Sequence, residues 1–552
     1  MKPHRLCLIL LLLVWLPAWA AARAELPRVV VDTHYVEPRG RVLQVPAGGD
    51  FQAALDRAAP GDVIELAAGA VYEGHFILPK KRGQEWIVIR SSEIAQLPPP
   101  GKWVDPSMAP LMPKLEGDAA PVITTAPGAH HYRFIGIEIR PGTQARFSAG
   151  WFWQMLKGWI TQADAAPSGF TGQTLVMLGS DRRRVEDLPH HLIFDRCYLH
   201  GDHLHGTRRG IALNARNAAV IDSYFADFKW VGEDSQAIAG WNGPGPFKIE
   251  DNFLEGAGEN VMFGGGTPSI PNLVPSDIEI RRNYFYKPLS WKPGAPHYEG
   301  TPWTVKNIFE LKNARRVLVE GNLLENCWES GQDGYGVLLT VRTEDDAVPW
   351  AVVEDVTFED NVVRHAVSGV DIMGIDNNSI KSYGRGRRLT IRNNLFVLDG
   401  GRLFQVLDRT HDLVIDHNTA LNVDAVVFGE TAPHVGFVFT NNVVSHGRYG
   451  IIGSGTGTGR ATLDRYFPNA VVSRNVMIGG PATAYSGDNF FPQSFSKVGF
   501  VDQGGGDYRL KASSPYVHAA SDRRTVGADF TALQSAMGPL WDRVTGSAID
   551  EQ

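Results

Sequence analysis

The chain has 552 residues, of which 43% are hydrophobic, and its 53 basic and 60 acidic side chains give a formal net charge of −7. So small a charge over this length argues against a nucleic-acid-binding surface, and a basic run such as Arg182-Arg183-Arg184 is only three residues long. The length would allow two or three ordinary domains. It also suits one long repetitive domain, which grows by adding repeats without a second core.

The N-terminus has the pattern of a secretory signal peptide. Lys2 and Arg5 precede an apolar run over residues 6–16, and small residues follow it near Ala20. The apolar run is too short for a membrane span. We therefore predict a signal peptide over residues 1–24, a secreted or periplasmic location, and no membrane attachment after cleavage.

The chain shows candidate cap elements and inserted loops on either side of its repeats. Residues 50–59 have the pattern of a short amphipathic helix with Phe51, Ala54 and Leu55 on one face, which would cover the open end of the first coil. The longest predicted loops are Gln96–Lys114, Phe147–Phe170, Pro268–Pro275 and Lys287–Trp303. Aromatic residues in two of them could stack on sugar rings or simply pack against the domain wall.

A short phrase recurs along most of the chain: a few apolar residues, a charged pair, an Asn, and two more apolar residues. The slots are Cys197, Ser223, Asn252, Asn283, Asn322, Asn361, Asn394, Asn418, Asn442 and Asn475. The smallest separation is 24 residues, from Asn394 to Asn418, and the largest is 39, from Asn283 to Asn322. A variable excess over a fixed minimum is typical of a solenoid, in which insertions leave each repeat as loops.

The minimum of about two dozen residues matches one coil of three short strands joined by tight turns, so we predict a parallel β-helix. An Asn at one fixed place per coil suits a left-handed turn residue whose amide bonds to its equivalents above and below. Leucine-rich repeats are the alternative, but their Leu pattern is missing; a β-propeller is favoured less. Cys197 and Cys327 lie several coils apart, which predicts buried thiols and not a disulfide.

These coils resemble the right-handed parallel β-helix proteins of the pectate-lyase-like superfamily. The segments Leu43–Pro46, Asp50–Leu55 and Pro60–Leu66 resemble the family's N-terminal cap, and Gly506–Leu510 with Val526–Ala528 resembles its closing tail. The resemblance implies an all-β, single-domain right-handed parallel β-helix over residues 25–552, with a cap at about 41–66, a short capping helix, long inserted loops and a tail at about 500–552. It implies an extracellular polysaccharide as partner. It leaves the reaction open, because the superfamily includes lyases, hydrolases, esterases, epimerases and non-catalytic proteins.

Four charged side chains are the candidate catalytic residues. Side chains alternate along a strand, so Glu310 and Lys312 point outward if Phe309 and Leu311 point inward. The same rule turns Thr340, Arg342 and Asp371 outward. On neighbouring rungs, Glu310, Lys312, Arg342 and Asp371 would form one patch, although a one-residue shift in register would reverse each of them. A solvated face of paired charges is the alternative reading.

The patch fits two reactions. In a lyase for uronate-containing glycans, Lys312 and Arg342 would share two roles: stabilising the substrate carboxylate and removing the neighbouring proton. In a hydrolase, Glu310 and Asp371 would flank the glycosidic bond; two rungs separate them by about 9.6 Å, which leans towards the spacing of inverting enzymes. The sequence analysis favours β-elimination, with a hydrolase, an epimerase or a non-catalytic glycan-binding protein as alternatives.

Further side chains near the same coils are candidates for binding. For the substrate they are Asn260, Glu259, Gln236, Trp241, Lys306, Gln332 and Trp303. Asp234 with Glu259 could hold Ca²⁺, which prefers carboxylate and carbonyl oxygens. His200, Asp202, His203 and His205, beside Arg208 and Arg209, form a second polar constellation. Its spacing fits no standard zinc pattern, so a polar loop is favoured there. We expect a monomer, and place any site between His190 and Asp376, where insertions accumulate.

Overall fold

The computed structural model describes residues 22–117, 121–142, 174–343, 346–485 and 487–546. They form a right-handed parallel β-helix, which confirms the predicted fold class. Each coil contributes one strand to each of three parallel sheets of 14, 13 and 12 strands, called here the first, second and third sheet in the order that the chain visits them.

The first sheet contains β1 (Val42–Val45), β2 (Val63–Leu66), β5 (Ile87–Ser91), β8 (His130–Ile135), β11 (His190–Asp195), β14 (Arg216–Ile221), β17 (Phe247–Glu250), β20 (Ser276–Arg281), β23 (Ala314–Glu320), β26 (Val353–Glu359), β29 (Gly386–Arg392), β32 (His411–Asp416), β35 (Val435–Thr440) and β38 (Val471–Ser473). The second contains β3 (Val71–Glu73), β6 (Lys114–Gly117), β9 (Glu138–Pro141), β12 (Tyr198–His200), β15 (Tyr224–Phe228), β18 (Phe253–Gly256), β21 (Tyr284–Tyr286), β24 (Leu323–Cys327), β27 (Val362–Ala366), β30 (Leu395–Val397), β33 (Thr419–Leu421), β36 (Val443–Ser445) and β39 (Val476–Ile478). The third contains β4 (Phe76–Leu78), β7 (Ile123–Thr125), β10 (Thr174–Leu178), β13 (Arg209–Leu213), β16 (Gln236–Gly240), β19 (Glu259–Phe263), β22 (Phe309–Leu311), β25 (Tyr335–Thr340), β28 (Ser368–Met373), β31 (Arg402–Leu407), β34 (Ala425–Glu430) and β37 (Gly450–Gly453).

One apolar core runs inside the coils because alternate side chains of each strand point inward. In β23, Val317 and Val319 are fully buried in this core, while Arg315 and Glu320 are partly exposed on the outside. Valine and isoleucine suit such strands because their branched side chains fill a pleated surface. The sheets are therefore fixed by the same short apolar runs that the sequence repeats.

The repeated Asn residues form a ladder at the turn between the first and second sheets. Asn361 is representative: its backbone N–H and its side-chain amide both donate to Oδ1 of Asn394, at 2.9 and 3.1 Å. The expectation that the Asn itself is left-handed is wrong. The left-handed residue is the one before it, such as Asp360 (φ 56°), whose conformation turns the following Asn inward.

Both ends of the helix carry additional elements. Helix α1 (Phe51–Arg57) buries Phe51, Ala54 and Leu55 as predicted, and the Asp50 carboxylate caps it by accepting a hydrogen bond from the N–H of Ala53. Helix α2 (Arg460–Tyr466) packs near the last coils. The tail forms the antiparallel pair β40 (Phe500–Asp502) and β41 (Asp507–Leu510), followed by α3 (Phe530–Met537) and α4 (Trp541–Val544). Helix α3 packs on the outside of the second sheet.

Other expectations have mixed outcomes. Cys197 and Cys327 are buried free thiols, as predicted. Most of the predicted signal peptide, and the predicted loop at Phe147–Phe170, lie outside the described residues. Among the helices that the structure describes, none has the length and apolar character needed to cross a membrane.

Candidate active site

A cavity of about 530 Å³ lies on the outer face of the third sheet, at β22, β25 and β28. It is lined by Asp234, Gly265, Gly266, Asn307, Glu310, Lys312, Asn313, Gly331, Gln332, Asp333, Tyr335, Leu338, Thr340, Arg342, Thr343, Val348 and Asp371. The four candidate catalytic residues therefore share one cavity; their chemical roles stay predictions.

The strand register explains this convergence. Glu310 pairs with Leu338, and Leu338 pairs with Asp371. The two carboxyl groups therefore occupy one outward row, two rungs apart, with Leu338 on the rung between them. Their Cα atoms are thus about 9.6 Å apart. The N–H of Arg342 donates to the carbonyl of Lys312 at 3.2 Å, which places the two cations on neighbouring rungs.

Glu310 sits within a polar network although it is only 1% exposed. One of its oxygens accepts a hydrogen bond from Asn307 at 3.0 Å, and the other lies 3.5 Å from the ammonium of Lys312. Burial works to lower the pKa of Lys312, but the carboxylates of Glu310, Glu259 and Asp234 raise it above its ordinary value. Lys312 is consequently held as a cation.

Asp371 has the opposite environment. Burial raises its pKa to about 7, with further contributions from Glu430, Glu310 and Asp333, and Arg342 only partly offsets this. Its buried Oδ1 has no hydrogen-bond partner among the described residues. Arg342 instead pairs with Asp376 at 3.2 Å. Asp371 can therefore carry a proton near neutral pH and present it to the cavity.

A chain of hydrogen bonds runs along the same sheet from the predicted binding residues. Arg209 donates to Gln236 at 2.7 Å, and Gln236 donates to Glu259 at 2.7 Å. Burial, followed by the charges of Glu310 and Asp234, raises the pKa of Glu259 to about 8. The guanidinium of Arg209 also lies 5.1 Å from the ring of Trp241. Of this group, Glu259 is electrostatically coupled to the cavity.

Asp234 and Glu259 do not form a fitting calcium site. Asp234 is ion-paired with Lys306. Burial alone would raise the pKa of its carboxyl group, but the positive charges of Lys306, Lys312 and Arg208 outweigh burial and lower that pKa. One Glu259 oxygen is taken by Gln236. A calcium ion would have to displace Lys306 from Asp234 and Gln236 from Glu259, so we route no chemical step through a metal here.

Two predicted binding residues point elsewhere. Asn260 is fully buried and donates to the carbonyls of Leu254 and Tyr286, so it fixes the turn before β19. Trp303 is 5% exposed, packs with Trp291 and Trp328, and its ring lies 5.0 Å from the ammonium of Lys229. Neither residue lines the cavity. Gln236, Trp241, Glu259 and Lys306 are also absent from its lining, so of the predicted binding residues Gln332 alone lines it, from the turn before β25.

Several polar lining residues were not predicted from the sequence, among them Asn307, Tyr335 and Asp333. Asn307 supports Glu310, Tyr335 donates to Gln405 at 2.6 Å, and Asp333 lies in the turn that leads into β25. The available signal was position: Asp333 directly follows the selected Gln332, and Asn307 stands three residues before Glu310.

The His200–His205 constellation forms a turn. The Asp202 carboxylate accepts the N–H groups of Leu204 and His205, at 2.9 and 3.0 Å. Within the described ranges, the groups of three close metal-ligand side chains do not include this loop. The favoured prediction of a polar loop therefore matches its geometry.

No protein-family model matches the sequence, and no curated protein matches it either. Among solved structures, the chain is similar to the catalytic unit of a thermostable GH87 α-1,3-glucanase from Streptomyces thermodiastaticus, with 14% identity, 84% of this chain and 71% of that chain covered, and a TM-score of 0.48. It is similar to an alginate lyase from Paenibacillus, with 12% identity, 75% of this chain and 98% of that chain covered, and a TM-score of 0.34. It is also similar to PfbA, a surface adhesin of Streptococcus pneumoniae, with 11% identity, 79% of this chain and 85% of that chain covered, and a TM-score of 0.42. At these identities, the likeness concerns the fold.

Proposed function

We propose that this protein is a glycan-cleaving enzyme and that its cavity hydrolyses a glycosidic bond with inversion. One observation carries the proposal: a half-buried carboxyl group that can hold a proton, Asp371, stands two rungs from an ion-paired carboxylate, Glu310, on one cavity wall. Two carboxyl groups of unlike protonation are what acid–base cleavage of a glycoside requires.

In this reaction, Asp371 donates its proton to the glycosidic oxygen as the bond to the anomeric carbon breaks. Glu310 accepts a proton from a water molecule, whose oxygen attacks the anomeric carbon from the opposite face. The protons thus exchange between the two carboxyl groups and solvent over one cycle. The Cα atoms are about 9.6 Å apart before the side chains reach into the cavity, a separation that favours inversion because inverting enzymes hold their carboxyl groups about 6.5–9.5 Å apart to admit the water.

Charge favours hydrolysis over elimination. Four acidic side chains line the cavity (Asp234, Glu310, Asp333 and Asp371) against two basic ones, Lys312 and Arg342. With Asp371 protonated and Asp234 paired with Lys306, little charge of either sign is left over, so an anionic polymer would gain little attraction from this wall. Because the pKa of Lys312 is raised, it is also poorly suited to remove a proton. The geometry thus favours the alternative that the sequence analysis ranked second.

β-Elimination on a uronate glycan is the second candidate, and the proximity of two cations supports it. Lys312 and Arg342 sit on adjacent rungs and face the same space. Arg342 would stabilise the substrate carboxylate while Lys312, once deprotonated, takes the neighbouring proton. Under either reaction we propose a secreted or periplasmic monomer acting on an extracellular polysaccharide.

The test is incubation of the purified mature protein with panels of neutral and uronate-containing glycans. New reducing ends without ultraviolet absorbance of an unsaturated product support hydrolysis, and proton NMR of the first product reports inversion. An unsaturated product overturns hydrolysis in favour of elimination. A changed sugar without cleavage indicates an epimerase, and retention without any chemical change indicates a binding protein. Asp371→Asn serves as the inactive comparison, and Asp424→Asn, in a distant coil, as the matched control.

A further inference from the structure

Two pairs of histidines lie side by side at the start of neighbouring strands of the first sheet. His130 and His131 begin β8, His190 and His191 begin β11, and the register pairs His130 with His190. The doublet therefore recurs at the same place in two coils. It belongs to a different sheet from the cavity: β10 is the third-sheet strand just before β11, and β22 lies four strands further along.

The rings are closely grouped. His130 stacks on His190 with centroids 4.8 Å apart, and His131 stacks on His191 at 4.4 Å. Within each doublet the two Nδ1 atoms are 2.8 Å apart. One ring nitrogen from each of His131, His190 and His191 can be chosen so that all three lie within 4.8 Å of one another.

The surroundings favour uncharged imidazoles, in which each doublet shares one proton between its two Nδ1 atoms, and a bound cation would take the place of such a proton. Burial lowers the pKa of His131 to about 4 and that of His190 to about 3, and it also lowers that of His191. Nε2 of His130 lies 3.1 Å from the carbonyl oxygen of Lys81. A proton on that nitrogen leaves the lone pair on Nδ1, where it accepts the Nδ1–H of His131. The contact with Lys81 is the kind of outer contact that orients histidine ligands in metal sites.

We propose that these four histidines bind one divalent transition-metal ion. The donor set is imidazole alone, which suits Zn²⁺, Ni²⁺ and Cu²⁺ and not Ca²⁺ or Mg²⁺. Metal–nitrogen bonds of about 2.0–2.1 Å require the stacked rings to turn about their Cβ–Cγ bonds until the lone pairs converge. The bound ion would link two coils that are separated along the sequence by an insertion.

Two neighbours limit where the ion sits. Arg216 is paired with His190 on the next strand, and its charge repels a cation from that side. Trp86 packs edge-on against His131, with ring centroids 5.3 Å apart, and so covers the doublet of His130 and His131. The ion should therefore lie between the doublets, displaced towards His130 and His131.

The experiment is a titration of the full mature protein, first stripped with a chelator, with ZnCl₂ in competition with a chromophoric chelator. Copper titration followed by electron paramagnetic resonance reports the nitrogen ligands. We expect one equivalent of tight binding and nitrogen hyperfine lines. His131→Asn combined with His190→Gln should weaken binding by at least about 100-fold, the upper range for losing even an outer contact of a ligand.

The control is His365→Asn. His131 and His365 both have left-handed backbones (φ 57° and 55°), which Asn tolerates, so the two substitutions are matched. Should the double variant fail to fold by circular dichroism, His190→Gln alone replaces it. Absence of tight zinc binding, or equal binding by wild type and variants, overturns the proposal and leaves only a stack of neutral imidazoles. Unchanged zinc affinity in His365→Asn is required for support.

Discussion

The coils around the cavity and the coils after Asn394 share one scaffold but differ in what covers it. The outward row that carries Glu310, Leu338 and Asp371 continues as Gln405 and Phe428 on the next two strands. Glu310 is buried, whereas Gln405 and Phe428 are partly exposed. The ladder is identical in both regions, so the chemistry of the middle coils comes from insertions that build walls around one row of side chains.

The largest effect should follow from Asp371→Asn. The amide keeps the shape of the side chain but cannot donate the catalytic proton, so we expect glycan cleavage to fall by about 10²- to 10⁴-fold. Initial rates of reducing-end release measure this. Asp424→Asn, in the short coils, should keep the wild-type rate; equal losses in both variants would contradict a special role for the middle coils.

The Asn ladder allows the middle of the domain to be compared with its end. Asn361→Ala removes the acceptor for two buried donors of Asn322, and we expect about 2–4 kcal/mol of destabilisation. Asn489→Ala removes the equivalent acceptor for Asn475, but this side chain is partly exposed and water can replace it. Its cost should be below about 1 kcal/mol. Urea unfolding of both variants measures the difference, and equal costs would refute it.

The pH dependence of cleavage and of stability should report on Asp371, which lies in the middle coils. Because the folded pKa of Asp371 is about 7, cleavage should decline by up to about tenfold per pH unit above that value. Stability has the same sign: this carboxyl's contribution is complete below its unfolded pKa of about 3.9 and is lost as the pH rises through about 7. Thermal melts from pH 4 to 8 should show a shallower slope in Asp371→Asn than in wild type, because Glu259 titrates with the same sign in both.

The smallest effect is expected from Arg448→Gln in the short coils. Arg448 lies 3.7 Å from Asp424, and the two side chains are 73% and 38% exposed. Water and salt screen a pair this exposed, so its contribution to stability is close to nil. Urea unfolding should therefore give nearly the wild-type midpoint, and glycan cleavage should be unchanged. A loss above about 1 kcal/mol would mean that these coils are more than scaffold.

The fold could be predicted because every coil repeats the same local sequence pattern of short apolar strands and turn residues. The apolar alternation of β22 and β28 fixes which side chains leave the core, and it placed Glu310 and Asp371 on one face. Helix α1 was equally legible, since its apolar spacing and the acidic residue before it are local signals.

The rest depends on contacts between distant segments, which local patterns do not encode. Asn260 turned inward because the chain bends before β19 and needs donors for two carbonyls. Trp303 was absorbed by the packing of its own loop. The pKa of Asp371 arises from burial by the inserted walls, which alternation along a strand cannot anticipate.

The Asn ladder also gives the domain a direction. Each rung donates two N–H groups towards the C-terminal neighbour, from Asn252 onward to Asn489. Removing a coil at the N-terminal end would leave one Asn Oδ1 without its donors, whereas removing a coil at the C-terminal end would leave two N–H groups without an acceptor. The two ends of the ladder therefore differ in their hydrogen-bonding needs. Asn489, which belongs to no strand of the three sheets, provides the last acceptor at the C-terminal end.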